Sequence, residues 1–212
     1  MRSDVWQHLH SDLTPGVQPD QETYAAPFGA HRLLLPIRQL ADGRGVASLI
    51  VNQASFTVLD ALAEALAARL APHAPDIIVG VPTLGLTLAE GVARRLGHAR
   101  MVPLGTSRKF WYDDALSVDL RSITTPGGGK RLYVDPRMLP LLKGRVAVVD
   151  DVLSTGASIA STLGLLALVD VRPVVLGAAM LQGETWRSRT GDIPVEGAIA
   201  TPILTKTPGG WT

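Results

Sequence analysis

The chain has 212 residues, 46% of them apolar and 18% charged, which is ordinary for one sizeable globular core. It contains no cysteine, which excludes disulfides, thiolate metal sites and cysteine nucleophiles and suits a reducing compartment. A formal net charge of +1 offers no broad attraction to nucleic acid or acidic membranes, so any anion must be held locally.

The N-terminus leads into no apolar run, and every apolar stretch breaks before the ~20 residues a spanning helix needs. The expectation is a soluble cytoplasmic protein with no membrane or nucleic-acid partner. Residues 1–27, interrupted by Pro15, Gly16, Pro19 and Pro27, read as an extended or loosely helical arm. Apolar runs at 31–37 and 46–51, separated by Ala41-Asp42-Gly43-Arg44-Gly45, predict a hairpin. Leu59, Leu62, Leu66 and Leu70 recur at spacings of three and four and predict a helix, with Ser55 or Thr57 as its start and Pro72 as its stop.

From Asp76 the pattern becomes strand, turn, helix. A buried-type strand is predicted at 77–81, then a helix with Leu88, Val92 and Leu96 on one face, ended by Gly97. A second strand follows at 101–104. A long polar excursion between Gly105 and Gly144 contains Gly127-Gly128-Gly129 and a strand at 131–134. A third buried strand is predicted at 145–149, followed by a helix to about Val169, a fourth strand at 172–180 and a fifth at 198–204. Strands alternating with helices imply an α/β fold, a central parallel sheet flanked by helices. Ligands in such sheets bind beyond the carboxyl ends of the strands, so chemistry is expected in the loops after Val81, Leu104 and Val149.

The most informative segment is Val146-Ala147-Val148-Val149-Asp150-Asp151-Val152-Leu153-Ser154-Thr155-Gly156-Ala157-Ser158. A helix start offers unpaired N–H groups and a partial positive charge, which together cradle a phosphate. Thr155 and Ser158 add hydroxyl donors, and Gly156 lets an anion approach the backbone closely. The two carboxylates accept hydrogen bonds only and suit paired ribose hydroxyls. The plain alternative is a strand, a turn and a capped helix, with Asp150 and Asp151 as solvated turn residues.

These thirteen residues resemble the phosphoribosyl pyrophosphate signature of type I phosphoribosyltransferases: an apolar run, an acidic pair, then a loop ending Thr-Gly-x-Ser or Thr. The resemblance implies that Asp150 and Asp151 hold the ribose 2′- and 3′-hydroxyls, and that Ser154, Thr155, Gly156, Ala157 and Ser158 wrap the 5′-phosphate. Gly80-Val81-Pro82-Thr83-Leu84-Gly85 resembles the family's pyrophosphate loop, with Val81, Pro82, Thr83 and Leu84 at the leaving group. Many relatives carry Arg or Lys where this chain has Leu84, so Thr83 and the backbone would do more.

The excursion at about 106–137 resembles the flexible loop that closes over substrate, with Arg108 and Lys109 where relatives place basic residues on pyrophosphate. Arg121, Lys130 and Arg131 read as solvated charges. A loop this long inside a compact domain is functional or disordered as a rule.

The fold implied is that of a type I phosphoribosyltransferase in a single domain, with a core at about 55–185 and a small hood from about 28–53 and 197–212. The activity implied is displacement of pyrophosphate from phosphoribosyl pyrophosphate by a ring nitrogen of a base, as in purine salvage. Mg²⁺ is expected to arrive with the substrate and touch Asp150 and Asp151, with no dedicated protein cage. Relatives are commonly homodimers. The 6-oxopurine enzymes carry a second Asp in the signature loop where this chain has Ser154, and residues 122–139 resemble the hood-side hairpin of adenine enzymes, although Thr124 stands where their Glu is expected. An adenine-like acceptor is therefore placed ahead of orotate or xanthine. Phe28, Phe110, Trp111, Tyr112 and Trp211 are candidates to stack on it, beside the simpler reading of each as packing. The alternative function is a regulator that binds phosphoribosyl pyrophosphate without turnover.

Overall fold

The structure, a computed structural model, describes residues 3–120 and 130–212. Its first part departs from the expected arm. Strands β1 (Leu9–His10), β2 (Gly16–Val17) and β3 (Thr23–Phe28) precede the predicted hairpin of β4 (His31–Gln39) and β5 (Gly45–Ala47), and all five join one antiparallel sheet. One edge of β4 carries β3. The other is shared between β1, at Leu9↔Leu33, and β5, at Ile37↔Ala47. The arm was hard to read because β3 is Thr-Tyr-Ala-Ala-Pro-Phe, with small residues on its buried face and a proline inside. Pro27 is tolerated because β2 reaches only Tyr24 and Ala25, leaving that edge of β3 without a ladder to break. Trp6 anchors the arm: it is buried, and its indole Nε1 donates to the Ser48 carbonyl at 2.9 Å.

Helix α1 (Phe56–Leu70) starts at Ser55, whose Oγ accepts from the Val58 N–H at 3.2 Å, a cap worth about 1 kcal/mol. Pro72 ends it in a short 3₁₀ turn. Then come β6 (Ile77–Gly80), α2 (Gly85–Arg95), β7 (Val102–Pro103), the hairpin of β8 (Ser117–Asp119) with β9 (Arg131–Tyr133), β10 (Val146–Leu153), α3 (Ala157–Ala167), β11 (Val175–Gln182), α4 (Arg187–Thr190) and β12 (Val195–Thr201).

Five strands form the expected parallel sheet in the order β12-β11-β10-β6-β7. Alternation along β10 separates two cores. Ala147 and Val149 pack with α1, α2 and the hood, while Val146 and Val148 pack with Ile159, Leu165 and Leu166 of α3. Each fully buried aliphatic side chain contributes on the order of 1.5–3 kcal/mol.

The hood boundaries need correction. The hood begins at Leu9, and Val195–Thr201 belongs to the parallel sheet. Pro202 has no N–H to continue that ladder, so the chain leaves it there, and only β13 (Ile203–Leu204) crosses to pair with β5. A last small hairpin, β14 (Lys206–Thr207) with β15 (Gly210–Trp211), ends the chain. Gln182 Nε2 donates to the Ala47 carbonyl at 2.7 Å and ties hood to core. Within the excursion at 106–137, β9 falls on the strand expected at 131–134, and β8 is a further strand that was not expected. Arg121, the 122–125 stretch and Gly127 to Gly129 lie outside the described residues. Among the described residues no helix is long and apolar enough to cross a membrane.

Candidate active site

Strand β10 runs four residues beyond its predicted end, so Asp150 and Asp151 are strand residues and not turn residues. Asp150 pairs in register with Ala178 of β11 and is only 5% exposed; Asp151 is half-buried. An Asp150 carboxylate oxygen accepts the Asp151 N–H at 2.8 Å. Burial, and after it the neighbouring Asp151 charge, pushes the Asp150 carboxyl well above the ordinary range. Burial also raises Asp151. Neither forms an ion pair among the described residues. Two adjacent carboxyls largely removed from water without a basic partner are an unfavourable arrangement in isolation, and residues perturbed in this way are candidates for a functional site.

The helix start of α2 abuts this pair. A Cβ placed on Gly85 would lie 2.8 Å from both the Cα and Oδ1 of Asp150, so only glycine allows the contact. The loop 82–84 departs beside the acidic pair, because Val81 N–H donates to the Val149 carbonyl at 3.0 Å. Its Pro82–Thr83 peptide is cis. Thr83 is exposed and Leu84, at the α2 N-cap position, supplies no side-chain cap. The first-turn N–H groups of α2 are thus free of any such cap.

On the other flank, Ser154, Thr155, Ala157 and Ser158 are half-buried and Gly156 is buried. The first intrahelical bond of α3 runs from Ala160 N–H to the Gly156 carbonyl at 2.9 Å, which leaves the Ser158 and Ile159 N–H groups at its open end. Thr155 Oγ1 accepts from Ala157 N–H at 3.4 Å. Gly156 was expected to be glycine for close anion approach. Two other reasons are visible: its φ is +76°, and an added Cβ would meet Arg189 Cβ at 2.9 Å and Trp186 Cα at 3.1 Å.

The loop after β7 is held by contacts that sequence inspection missed. Arg108 is exposed and forms a bidentate pair with Asp114 in its own loop, at 2.8 and 3.2 Å. Lys109 is exposed as well. Neither makes an ion pair with the acidic pair. Trp111 Nε1 donates to Asp135 Oδ2 at 3.1 Å, and Arg137 grips the same carboxylate at 2.6 Å while lying 4.5 Å over the Trp111 ring. Arg137 holds the Asp135 carboxyl well below the ordinary range. The Asp135-Pro136 start of a helical turn is a readable signal; its bond to a tryptophan 24 residues away is not. Arg131, expected to be solvated, instead binds Ser117 Oγ at 2.8 Å and Asp119 at 3.2 Å and closes the β8–β9 hairpin, while Lys130 is exposed.

Of the aromatic candidates, Trp211 packs over Gly45 within the hood, Tyr112 rests 5.7 Å from Tyr133, Phe28 is half-buried, and Phe110 is 90% exposed.

With this geometry in hand, similarity to known proteins is informative. The profile of the phosphoribosyl transferase domain family matches residues 46–193. An adenine phosphoribosyltransferase of Nocardia farcinica is 31% identical over 147 residues, covering 64% of this chain and 68% of that protein. The bifunctional protein PyrR of Mycolicibacterium paratuberculosis is 34% identical over 118 residues, covering 52% of this chain and only 55% of that protein. The crystal structure of adenine phosphoribosyltransferase from Thermoanaerobacter pseudethanolicus superposes with a TM-score of 0.62 at 21% identity, over 78% of this chain and 95% of that one. That last likeness establishes the shared fold.

Proposed function

The chain belongs to the phosphoribosyl transferase domain family, and from that premise we propose that it moves 5-phosphoribose from phosphoribosyl pyrophosphate to a nitrogenous base. The observation that carries this reading is the acidic pair on β10, Asp150 buried and Asp151 half-buried with no ion pair among the described residues, flanked by the open starts of α2 and α3. In it, Asp150 and Asp151 accept the ribose 2′- and 3′-hydroxyls, and the 154–158 turn binds the 5′-phosphate through amides and hydroxyls. Residues 81–84 receive the pyrophosphate, aided by Arg108 and Lys109 from the loop after β7.

The C1–O bond to pyrophosphate breaks as the base nitrogen forms a C1–N bond, and the nitrogen's proton leaves to solvent or a base. Positive charge grows at C1 as in glycoside chemistry, so catalysis is chiefly alignment and charge stabilisation. The carboxyls fit a divalent cation by their oxygen chemistry. Asp150 and Asp151 would hold Mg²⁺ together with the substrate phosphates, and the ion would supply positive charge to the departing pyrophosphate.

An adenine-like base is the favoured acceptor, supported by similarity to the adenine enzyme of Nocardia farcinica and by Ser154 standing where 6-oxopurine enzymes carry Asp. A homodimer and a cytoplasmic setting complete the reading, the latter supported by the absence of cysteine. A second reading, a regulator that binds phosphoribosyl pyrophosphate without turnover, is favoured by Leu84, which lacks the charge expected at the leaving group. Pyrophosphate release with Mg²⁺ and a panel of purine and pyrimidine bases separates the two. Release with adenine supports transfer; saturable binding without release for every base supports the regulator.

A further inference from the structure

A phosphate monoester carries a charge of about −1.5 to −2 near neutral pH. The 154–158 turn meets it with neutral groups, the hydroxyls of Ser154, Thr155 and Ser158 and the amides of α3, and the adjacent Asp150 and Asp151 add negative charge. Most arginines on neighbouring elements are already committed. Arg108 is paired with Asp114, Arg131 with Asp119, Arg137 with Asp135, and Arg187 with Glu184 while stacking on Trp186.

Arg189 differs from all of these. It is exposed and takes part in no ion pair among the described residues. Its stem lies directly on the turn: a Cβ on Gly156 would meet Arg189 Cβ at 2.9 Å and Cγ at 3.0 Å. The ledge that presents it is fixed, since Trp186 is buried, donates from Nε1 to the Gly183 carbonyl at 2.9 Å, and accepts the Arg189 N–H through its carbonyl at 2.9 Å. The guanidinium lies three bonds beyond Cγ and is a planar fork suited to phosphate.

We propose that Arg189 is the cation that meets the 5′-phosphate bound at the 154–158 turn, a role that rests on the function proposed above. Gly156 is then glycine partly so that the arginine stem can cross it.

Two measurements test this. Arg189→Gln is expected to raise KM for phosphoribosyl pyrophosphate by about tenfold or more, the scale of a lost charge-assisted hydrogen bond, with kcat and melting temperature unchanged. Arg189→Lys, which keeps the charge, falls between. Wild-type KM in Arg189→Gln would overturn the proposal. Because a variant can misfold, the wild-type protein is also labelled with phenylglyoxal and Arg189 modification followed by mass spectrometry. Phosphoribosyl pyrophosphate and inorganic phosphate should each slow that labelling; unchanged labelling in saturating phosphate overturns the assignment. Absence of any binding or turnover of phosphoribosyl pyrophosphate by the wild-type protein would instead sink the parent function, while the inorganic phosphate arm still decides Arg189.

Discussion

Two stretches of the molecule, a first wall at β10 and the start of α3 and a second in the segment after β7, are built differently. Between Val146 and Ser158 consecutive residues supply a strand, both carboxyls and a helix start. Between Gly105 and Arg137 the other wall is assembled from distant partners: Trp111 on Asp135, Arg131 on Ser117, and Gly105 bridged to Tyr133. The first wall holds a buried or half-buried acidic pair with no basic partner among the described residues, whereas the second joins its acids and arginines in three ion pairs, Arg108 with Asp114, Arg131 with Asp119 and Arg137 with Asp135. The contrast sets a stretch organised by chain adjacency against one held together by long-range pairing.

The contrast breaks most sharply at the acidic pair. Replacing Asp150 and Asp151 together by Asn should lower pyrophosphate release by about a hundredfold or more, the scale of removing a preorganised electrostatic group, without unfolding the protein. Asp150→Asn alone should raise the melting temperature at neutral pH. Both carboxyls have folded-state pKa values above their unfolded ones, so the folded state binds more protons and stability falls as pH rises from about 3.9 through the folded values. Asn removes that penalty. Calorimetry from pH 4 to 8 checks the sign; a less stable variant at pH 7 would mean the pair is already neutralised.

Gly85→Ala comes next. Its Cβ would meet backbone of Asp150 at 2.8 Å, so the expected cost is about 1–3 kcal/mol of overpacking, with activity reduced about tenfold or more through displacement of the carboxyl. Unaltered kinetics would show that the two elements can slide apart freely.

On the second wall the effect should fall on stability. Asp135→Asn is expected to cost about 1–3 kcal/mol, because it weakens the grip on Arg137 and Trp111 around a buried site. The sign with pH is the reverse of that at Asp150. The Asp135 pKa is lowered on folding, so its contribution is present above about 3.9 and disappears as pH falls. Thermal melts of variant and wild type should therefore converge in acid.

The smallest effect is expected at Asp114→Asn. Its pair with Arg108 is exposed, so the melting temperature should barely change. Releasing Arg108 should leave turnover intact or modestly lower KM for phosphoribosyl pyrophosphate. A large loss of stability there would show that the loop is held as part of the core.

How much was legible follows the same division. The helix over 56–70 was readable from its leucine spacing, and β6, β7 and β10 from their apolar runs. The acidic pair and the phosphate turn were readable because strand, carboxyls and helix start adjoin one another. The N-terminal strands were not, since Thr23, Ala25 and Ala26 carry little apolar signal until β4 is beside them. The strand expected at 198–204 runs through Pro202, and the switch from parallel sheet to hood at that residue emerges only when β5 is in place to receive Ile203.

By itself, the sequence determined the parallel α/β core, the acidic pair and the turn that follows it, because periodicity, capping and chain adjacency act over a few residues. Tertiary structure alone decided that Gly85 must touch Asp150, that Arg189 crosses Gly156, and that Trp111 finds Asp135. Those contacts join segments far apart in the chain, and which partner a side chain meets depends on how whole elements pack, a choice that no local pattern of residues encodes.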